Sequence, residues 1–431
     1  MKRRSARMKG EALTTSPPVF DRQEWRQGWP VVAASLAGIT LCSAHGYTIG
    51  VMIGPLEQAY GWSRASITGG LLIISLVAVI AAPFAGRLAD TFGPRRVALA
   101  GVPLFCLAFG MLALADGNIW NWWLLWFFLG LGNMLILPTI WTSAINSRFD
   151  ANRGKALAFA LCGTGLAAFI LPPVTTRLIA AYGWQHAYVG LAMAGMLIVF
   201  PLTLLWFHAA PRAQATGLAG NPEAAPAPGE LRAEMLSPRF LKLLGASTVF
   251  SVAICALTTN ATPVLRALGH DAITAADTAA LMGFGSVVGR IGGGFLLDRF
   301  DARLVAAISV AAPIVTAMML LAGGEDRLVA SGASLFLGLA IGAEVDACAY
   351  LAARHFGLRN FGALFGTING LMLFGNGVAP FAANYVYDMT GSYSSVLWAQ
   401  VPACLLAAAL FLALGRYPDA RPSRPADGQQ I

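Results

Sequence analysis

One stretch of this chain occurs twice. Gly86-Arg87-Leu88-Ala89-Asp90-Thr91-Phe92-Gly93-Pro94-Arg95 returns 208 residues later as Gly294-Phe295-Leu296-Leu297-Asp298-Arg299-Phe300-Asp301-Ala302-Arg303. The same offset carries Pro55, Ala59 and Gly61 onto Pro263, Ala267 and Gly269, and Gly183 onto Gly391. One half of the sequence is a diverged copy of the other, so any fold it adopts must consist of two similar halves in tandem.

Hydropathy says what kind of halves these are. Of the 431 residues 57% are hydrophobic and only 12% charged, and the mean hydropathy is +0.65, outside the range of soluble domains. A helical crossing needs about 20 mostly apolar residues. Twelve such stretches are present, near 30–53, 66–88, 97–115, 122–147, 155–179 and 186–207, then 240–262, 275–297, 304–322, 328–353, 364–386 and 393–414. The expected fold is therefore an all-α polytopic membrane protein whose twelve transmembrane helices form two six-helix, pseudo-symmetric bundles. The bundles are expected over 29–208 and 239–415, with tails at 1–28 and 416–431 and a linker at 209–238.

Lys and Arg are retained on the cytoplasmic side of a membrane. With the N-terminus inside, the tails, the linker and the inner loops hold 24 of the 29 basic residues. The outer loops hold Arg64, Arg177, Arg266 and Arg327, which leaves Arg290 within a span. The net charge of +8 thus reports topology and implies a lipid bilayer as partner, not a nucleic acid. Both termini are expected in the cytoplasm. The first 28 residues are basic and polar without the apolar core of a signal peptide, and the Ala, Pro and Gly of the linker suit a flexible connection. Cys42, Cys106, Cys162, Cys255, Cys348 and Cys404 all fall inside spans without ligand-like spacing; they read as small apolar packing residues, with no metal site expected.

The repeated Gly-x-Leu-x-Asp falls at the cytoplasmic ends of spans 2 and 8. Gly86 and Gly294 would admit a neighbouring helix closely, while Asp90 and Asp298 can accept hydrogen bonds from a helix N-terminus or pair with Arg95, Arg96 or Arg299. These residues are the candidate gating motif. Twelve spans in two repeats, with this motif after spans 2 and 8, resemble the major facilitator superfamily. Further stretches are similar to its bacterial relatives of monocarboxylate porters and oxalate/formate antiporters. They are Gly61-Trp62-Ser63-Arg64-Ala65, Arg153-Gly154-Lys155-Ala156-Leu157-Ala158 and Gly183-Trp184. Span 10 adds Gly342-Ala343-Glu344-Val345-Asp346, running into Arg354 to Gly362. The resemblance implies alternating access between the halves, a bacterial inner-membrane location, no cofactor and a monomeric carrier.

Ionisable residues inside a span are costly and tend to face the bundle interior. At about 1.5 Å per residue, Arg290 lies roughly 12 Å from Asp298, and Glu344 and Asp346 lie roughly 15 and 12 Å from Arg354. His45 is similarly deep in span 1, so all four fall near the midplane, where such carriers bind substrate. The Arg290 guanidinium stays protonated and matches a carboxylate, which points to an anionic substrate; a structural ion pair with Glu344 or Asp346 is the alternative. The resemblance supports the functional role, because that branch's carboxylate-binding arginine occupies span 8 in the context Arg-x-x-x-Gly, matched by Arg290 and Gly294. Glu344 and Asp346 are about 200° apart around a helix and cannot both face one cavity. One of them, Glu344 in preference, is the candidate proton-coupling group, since removal from water favours a neutral carboxyl.

His45, Tyr47, Asn369 and Asn376 are further candidate substrate contacts, each with a packing role as the alternative. The animal monocarboxylate carriers hold a lysine near the position of Tyr47 and an aspartate at that of Ser286, and the oxalate carriers hold a second basic residue in span 11 where Asn376 stands. One fixed cation suits a monoanion better than a dianion. The expected function is secondary transport of a small organic anion, a monocarboxylate first, with proton symport or anion exchange. An exporter of drugs or other small molecules and a membrane sensor that no longer transports are the alternatives. No phosphate-binding loop, metal cluster or nucleophile constellation suggests an enzyme.

Overall fold

The computed structural model describes residues 22–208, 228–357 and 360–415. Residues 1–21 and 416–431 of the tails and 209–227 of the linker lie outside the described residues. Within them the chain is helical, with no strand, as a bilayer requires of a backbone that must satisfy its own hydrogen bonds.

Eleven helical segments are long and apolar enough to cross a membrane, and the longest, Arg153–Trp206, covers 54 residues. Gly183 divides it: its φ of 82° and ψ of 166° interrupt the helix, giving spans 5 and 6 and a total of twelve. The repeat explains why glycine stands there. Gly183 and its partner Gly391 both have positive φ, and so do Gly61 and its partner Gly269, a region that costs a side chain strain. The duplicated glycines thus mark duplicated turns.

Several spans are broken within their length. Span 1 is Arg22–Cys42 followed by Ala44–Tyr60, span 4 is Ile119–Met134 followed by Pro138–Arg148, and span 7 is Pro238–Thr258 followed by Ala261–Ala267. Span 2 is Arg64–Phe92, span 8 Ala272–Arg299, span 10 Arg327–Phe356 and span 11 Phe361–Thr390. One apolar core draws wholly on residues of spans 1–6, with Trp122, Trp126, Trp141 and Tyr188 fully buried in it. Two further cores are built from spans 7–12, one of which also takes in Ala168.

A Glu ties the start of each half to a later loop. Glu24 accepts hydrogen bonds from the backbone N–H of Asp150 and from Asn152 Nδ2 at 2.8 Å, and Glu234 accepts from Asn360 Nδ2 at 2.7 Å. Asn152 and Asn360 are 208 residues apart, the offset of the repeat. Glu234 belongs to a helix, Pro228–Met235, within the segment expected to be a flexible linker. The Glu, Leu, Arg, Ala and Met of that stretch are good helix formers behind a proline that suits a first turn.

The bundles meet along two pairs of spans, 2 with 11 and 5 with 8. They converge at the face away from the chain termini, here the distal face. On span 11, Gly377, Asn384 and Asp388 share one side and meet Ser75, Thr68 and Arg64 of span 2. Continuing along the same two sides toward the terminal face, a Cβ on Gly370, Gly366 or Gly86 would meet nothing within 4 Å. The two helices are closed at one end and splayed at the other. In span 1 a Cβ on Gly50 would collide with the Thr259 carbonyl across the interface, so spans 1 and 7 also touch at the distal end. The cleft between the bundles therefore opens to the terminal face.

Candidate functional site

Arg290 is positioned by a tightly packed helix pair, spans 8 and 10. At Gly285, Gly289, Gly338 and Gly342 a Cβ would come closer than 3.0 Å to backbone of the facing helix, so spans 8 and 10 approach as only glycine permits. This brings the guanidinium of Arg290, 7% exposed, onto span 10. Its Nη1 reaches both carboxylate oxygens of Asp346 at 3.4 Å. That resolves which acid pairs with the arginine, a choice the sequence leaves open. Asp346 offsets the cost of holding a cation within the span. The contact is long and uses a single nitrogen, and Arg290 Nε has no hydrogen-bond partner. The planar fork is thus largely uncommitted.

Glu344 faces another way, as the helical angle requires. It is buried, and its Oε1 has no hydrogen-bond partner. Beside it stands Ser251 of span 7, whose hydroxyl donates to Asn376 Oδ1 at 2.7 Å, while Cys255 Sγ approaches the same oxygen at 2.9 Å. Asn376 is thereby fixed through its oxygen and remains exposed. Tyr47, from span 1, lies within electrostatic reach of Arg290, Glu344 and Cys255 and packs on the C-terminal core. Cys162, at the break in span 5, lies within reach of Arg290 and Asp346. The structure thus gathers Arg290, Asp346, Glu344, Tyr47 and Asn376 where the two bundles face each other.

His45 sits apart from this group, its ring edge-on to Phe105 and Trp126 of the N-terminal bundle at 6.4 and 6.3 Å. Its Nδ1 has no partner. Asn369 is half-buried two turns from Asn376 toward the terminal face. Asn133 is buried and accepts from Cys42 Sγ at 3.4 Å. In the gating motif, Asp298, Arg299 and Arg96 are exposed and Asp90 is exposed but engaged. Arg299 lies over the Phe295 ring at 4.3 Å, and Arg95 donates to the Leu204 carbonyl at 2.8 Å.

Arg64 and Arg177, basic residues of the outer loops in the sequence, both fasten the distal closure. Asp388 accepts from the backbone N–H groups of Arg64 and Ala65 at 3.1 and 2.8 Å, while Ser63 takes the N–H of Ser66. The first-turn donors of span 2, which a helix cannot satisfy internally, are thus capped partly by the opposite bundle. The Arg64 guanidinium lies 3.8 Å from the Tyr387 ring centroid and donates to Tyr393 Oη at 3.3 Å. Arg177 and Asp277 form a two-nitrogen, two-oxygen pair at 2.8 and 2.9 Å. The available signal was an Asp, three residues before the repeated Gly391, at the end of a span.

The profile of the Major Facilitator Superfamily matches residues 35–372. This chain belongs to that superfamily. Among curated proteins it is similar to monocarboxylate transporter 13 of Bos taurus, 22% identical over 372 residues, with 85% of this chain and 84% of that protein covered. It is also similar to the 4-hydroxybenzoate transporter PcaK of Pseudomonas putida, 26% identical, with 85% and 91% covered. Among solved structures the nucleoside transporter NupG superposes with a TM-score of 0.72 at 14% identity, covering 90% of this chain and all (100%) of that one. A bacterial homologue of the human lysosomal transporter Spinster, in an inward-facing and unoccupied conformation, gives a TM-score of 0.67 at 16% identity, covering 89% and 96%. These superfamily relatives and folds identify a membrane transporter of small molecules.

Proposed function

We propose that this superfamily member carries a small organic monocarboxylate across the bacterial inner membrane, with both termini in the cytoplasm and a single chain as the working unit. The observation that carries this reading is Arg290: a buried guanidinium at the meeting of the bundles, held by one long contact to Asp346 and with its Nε unpartnered. A carboxylate entering from the cleft would take the free edge of the fork in two charge-assisted hydrogen bonds. Tyr47 from the other bundle and Asn376 would contact the remainder of the substrate, with Asn369 and His45 further out. Glu344, unpartnered at Oε1, is the proton acceptor if the carrier is a symporter; if it is an exchanger, a counter-anion takes the same arginine.

In this reading the closed distal face is one end of an alternating-access cycle. In the other, spans 2 and 11 would part at Arg64 and Asp388 and close at Gly86, Gly366 and Gly370. The names of the monocarboxylate and 4-hydroxybenzoate relatives are in keeping with a carboxylate cargo. Uptake of labelled mono- and dicarboxylates into proteoliposomes, with and without an imposed pH gradient, tests the proposal. Saturable uptake of a monocarboxylate is expected, and the absence of saturable uptake of any carboxylate would sink it. Acceleration by an inward proton gradient identifies symport, and acceleration by internal anion identifies exchange.

A further inference from the structure

At the distal closure, well away from Arg290, lies a cavity of about 260 Å3 walled by both bundles. Two guanidinium groups enter it from opposite sides, Arg64 from the N-terminal bundle and Arg266 from the C-terminal one, against one carboxylate, Glu57. Arg64 is held over Tyr387, and its Nε and Nη2 both reach the same Glu57 oxygen, Oε2, at 3.3 Å. Arg266 ends a short helix, and its Nη1 stands 2.7 Å from where a Cβ on Gly54 would lie, so it is packed against the opposite bundle. Among the described residues Arg266 has no ion pair. The cavity thus holds one paired cation, Arg64 with Glu57, and one unpaired cation, Arg266, on a surface that has to come together.

We propose that this cavity binds a small oxyanion at the distal face and that the bound anion fastens the bundles there. The chemistry is that of the unpaired Arg266 guanidinium, with the Glu57-paired Arg64 lining the same cavity, meeting one oxygen-bearing ion, a carboxylate or a sulfate-sized inorganic anion. Opening the distal face separates Arg64 from Arg266 and dissolves the site. A ligand that binds only one state draws the population toward it, so the anion holds the carrier closed at this face and slows its return to the distal-open form. The site is independent of the transport reading, because it holds whether or not Arg290 receives the cargo.

The test uses the full chain in lipid nanodiscs, where both faces meet the solution. Thr68 is fully buried in the closure against Asn384, so labelling of a Thr68→Cys variant by a charged maleimide reports distal opening. The protein without that substitution gives the background from native cysteines. Sodium acetate and sodium sulfate are titrated separately at an ionic strength held with sodium chloride. If the site exists only in the closed state, labelling slows by one plus the ratio of anion concentration to its dissociation constant. That is about fourfold at three times the constant. The slowing is expected to persist in Arg290→Gln and to be lost in Arg266→Gln. Acetate acting alone supports a carboxylate site and sulfate alone an inorganic-anion site. No slowing by either ion overturns the proposal, as does slowing that survives Arg266→Gln; if that slowing is lost in Arg290→Gln, the effect belongs to the transport site instead.

Discussion

Arg290 shows how little a charge's identity fixes at the scale of one residue. Its partner, the length of that contact and the unoccupied edge of its fork follow from the rotation of span 10 against span 8. Lysine at this position would keep the charge and lose the planar fork. Arg290→Lys is therefore expected to lower carboxylate uptake by roughly 10- to 100-fold, the equivalent of one or two charge-assisted hydrogen bonds. Initial rates in proteoliposomes check this, and normal uptake would remove the arginine from the site. Glu344 makes a separate claim. In Glu344→Gln the proton-coupling role predicts that substrate exchange continues while pH-gradient-driven accumulation is lost, measured as counterflow against net uptake. Unchanged proton flux with substrate would reduce Glu344 to a packing group.

At the scale of the element, glycine spacing distinguishes a fixed helix pair from one that moves. Spans 8 and 10 touch through Gly285, Gly289, Gly338 and Gly342, and a Cβ on Gly342 would run into the Ser286 carbonyl and the backbone nitrogen of Arg290. Overpacking of this kind costs about 1–3 kcal/mol. Gly342→Ala is thus expected to lower the midpoint of thermal unfolding in detergent by several degrees, whereas Gly366→Ala, with open space around it, leaves the midpoint in place. Equal effects from the two would contradict the reading of spans 8 and 10 as a rigid pair and of spans 2 and 11 as a splayed one.

For the whole molecule, the question is what holds one face shut. Polar contacts gather at the distal ends, where Asp388 caps span 2, Arg64 lies over Tyr387 and Arg177 pairs with Asp277. Removing the cap leaves first-turn N–H groups of span 2 without a partner in the closed state and free to reach water in the open one. Asp388→Ala should shift the balance toward the distal-open form by about tenfold, the equivalent of one charged hydrogen bond. Labelling of Thr68→Cys in nanodiscs measures the shift, and an unchanged rate would show that the Asp388 cap contributes nothing to the closure.

The architecture is legible along the chain, because a bilayer admits few solutions to chains of apolar segments. Twelve crossings, the internal duplication and the depth of Arg290, Glu344 and Asp346 could all be counted or measured along the chain. The duplicated glycines at 61, 269, 183 and 391 were visible only as marks of the repeat, and the structure gives each of them positive φ. Everything that depends on how helices are rotated and which conformer is occupied came from the fold. It paired Asp346 with Arg290, set Tyr47 opposite them, turned His45 into the aromatic packing of its own bundle, and joined Asp388 to Arg64 across 324 residues of chain. Burial is a property of a stretch and can be read locally; contact between bundles depends on relative rotation and tilt, which no local pattern encodes.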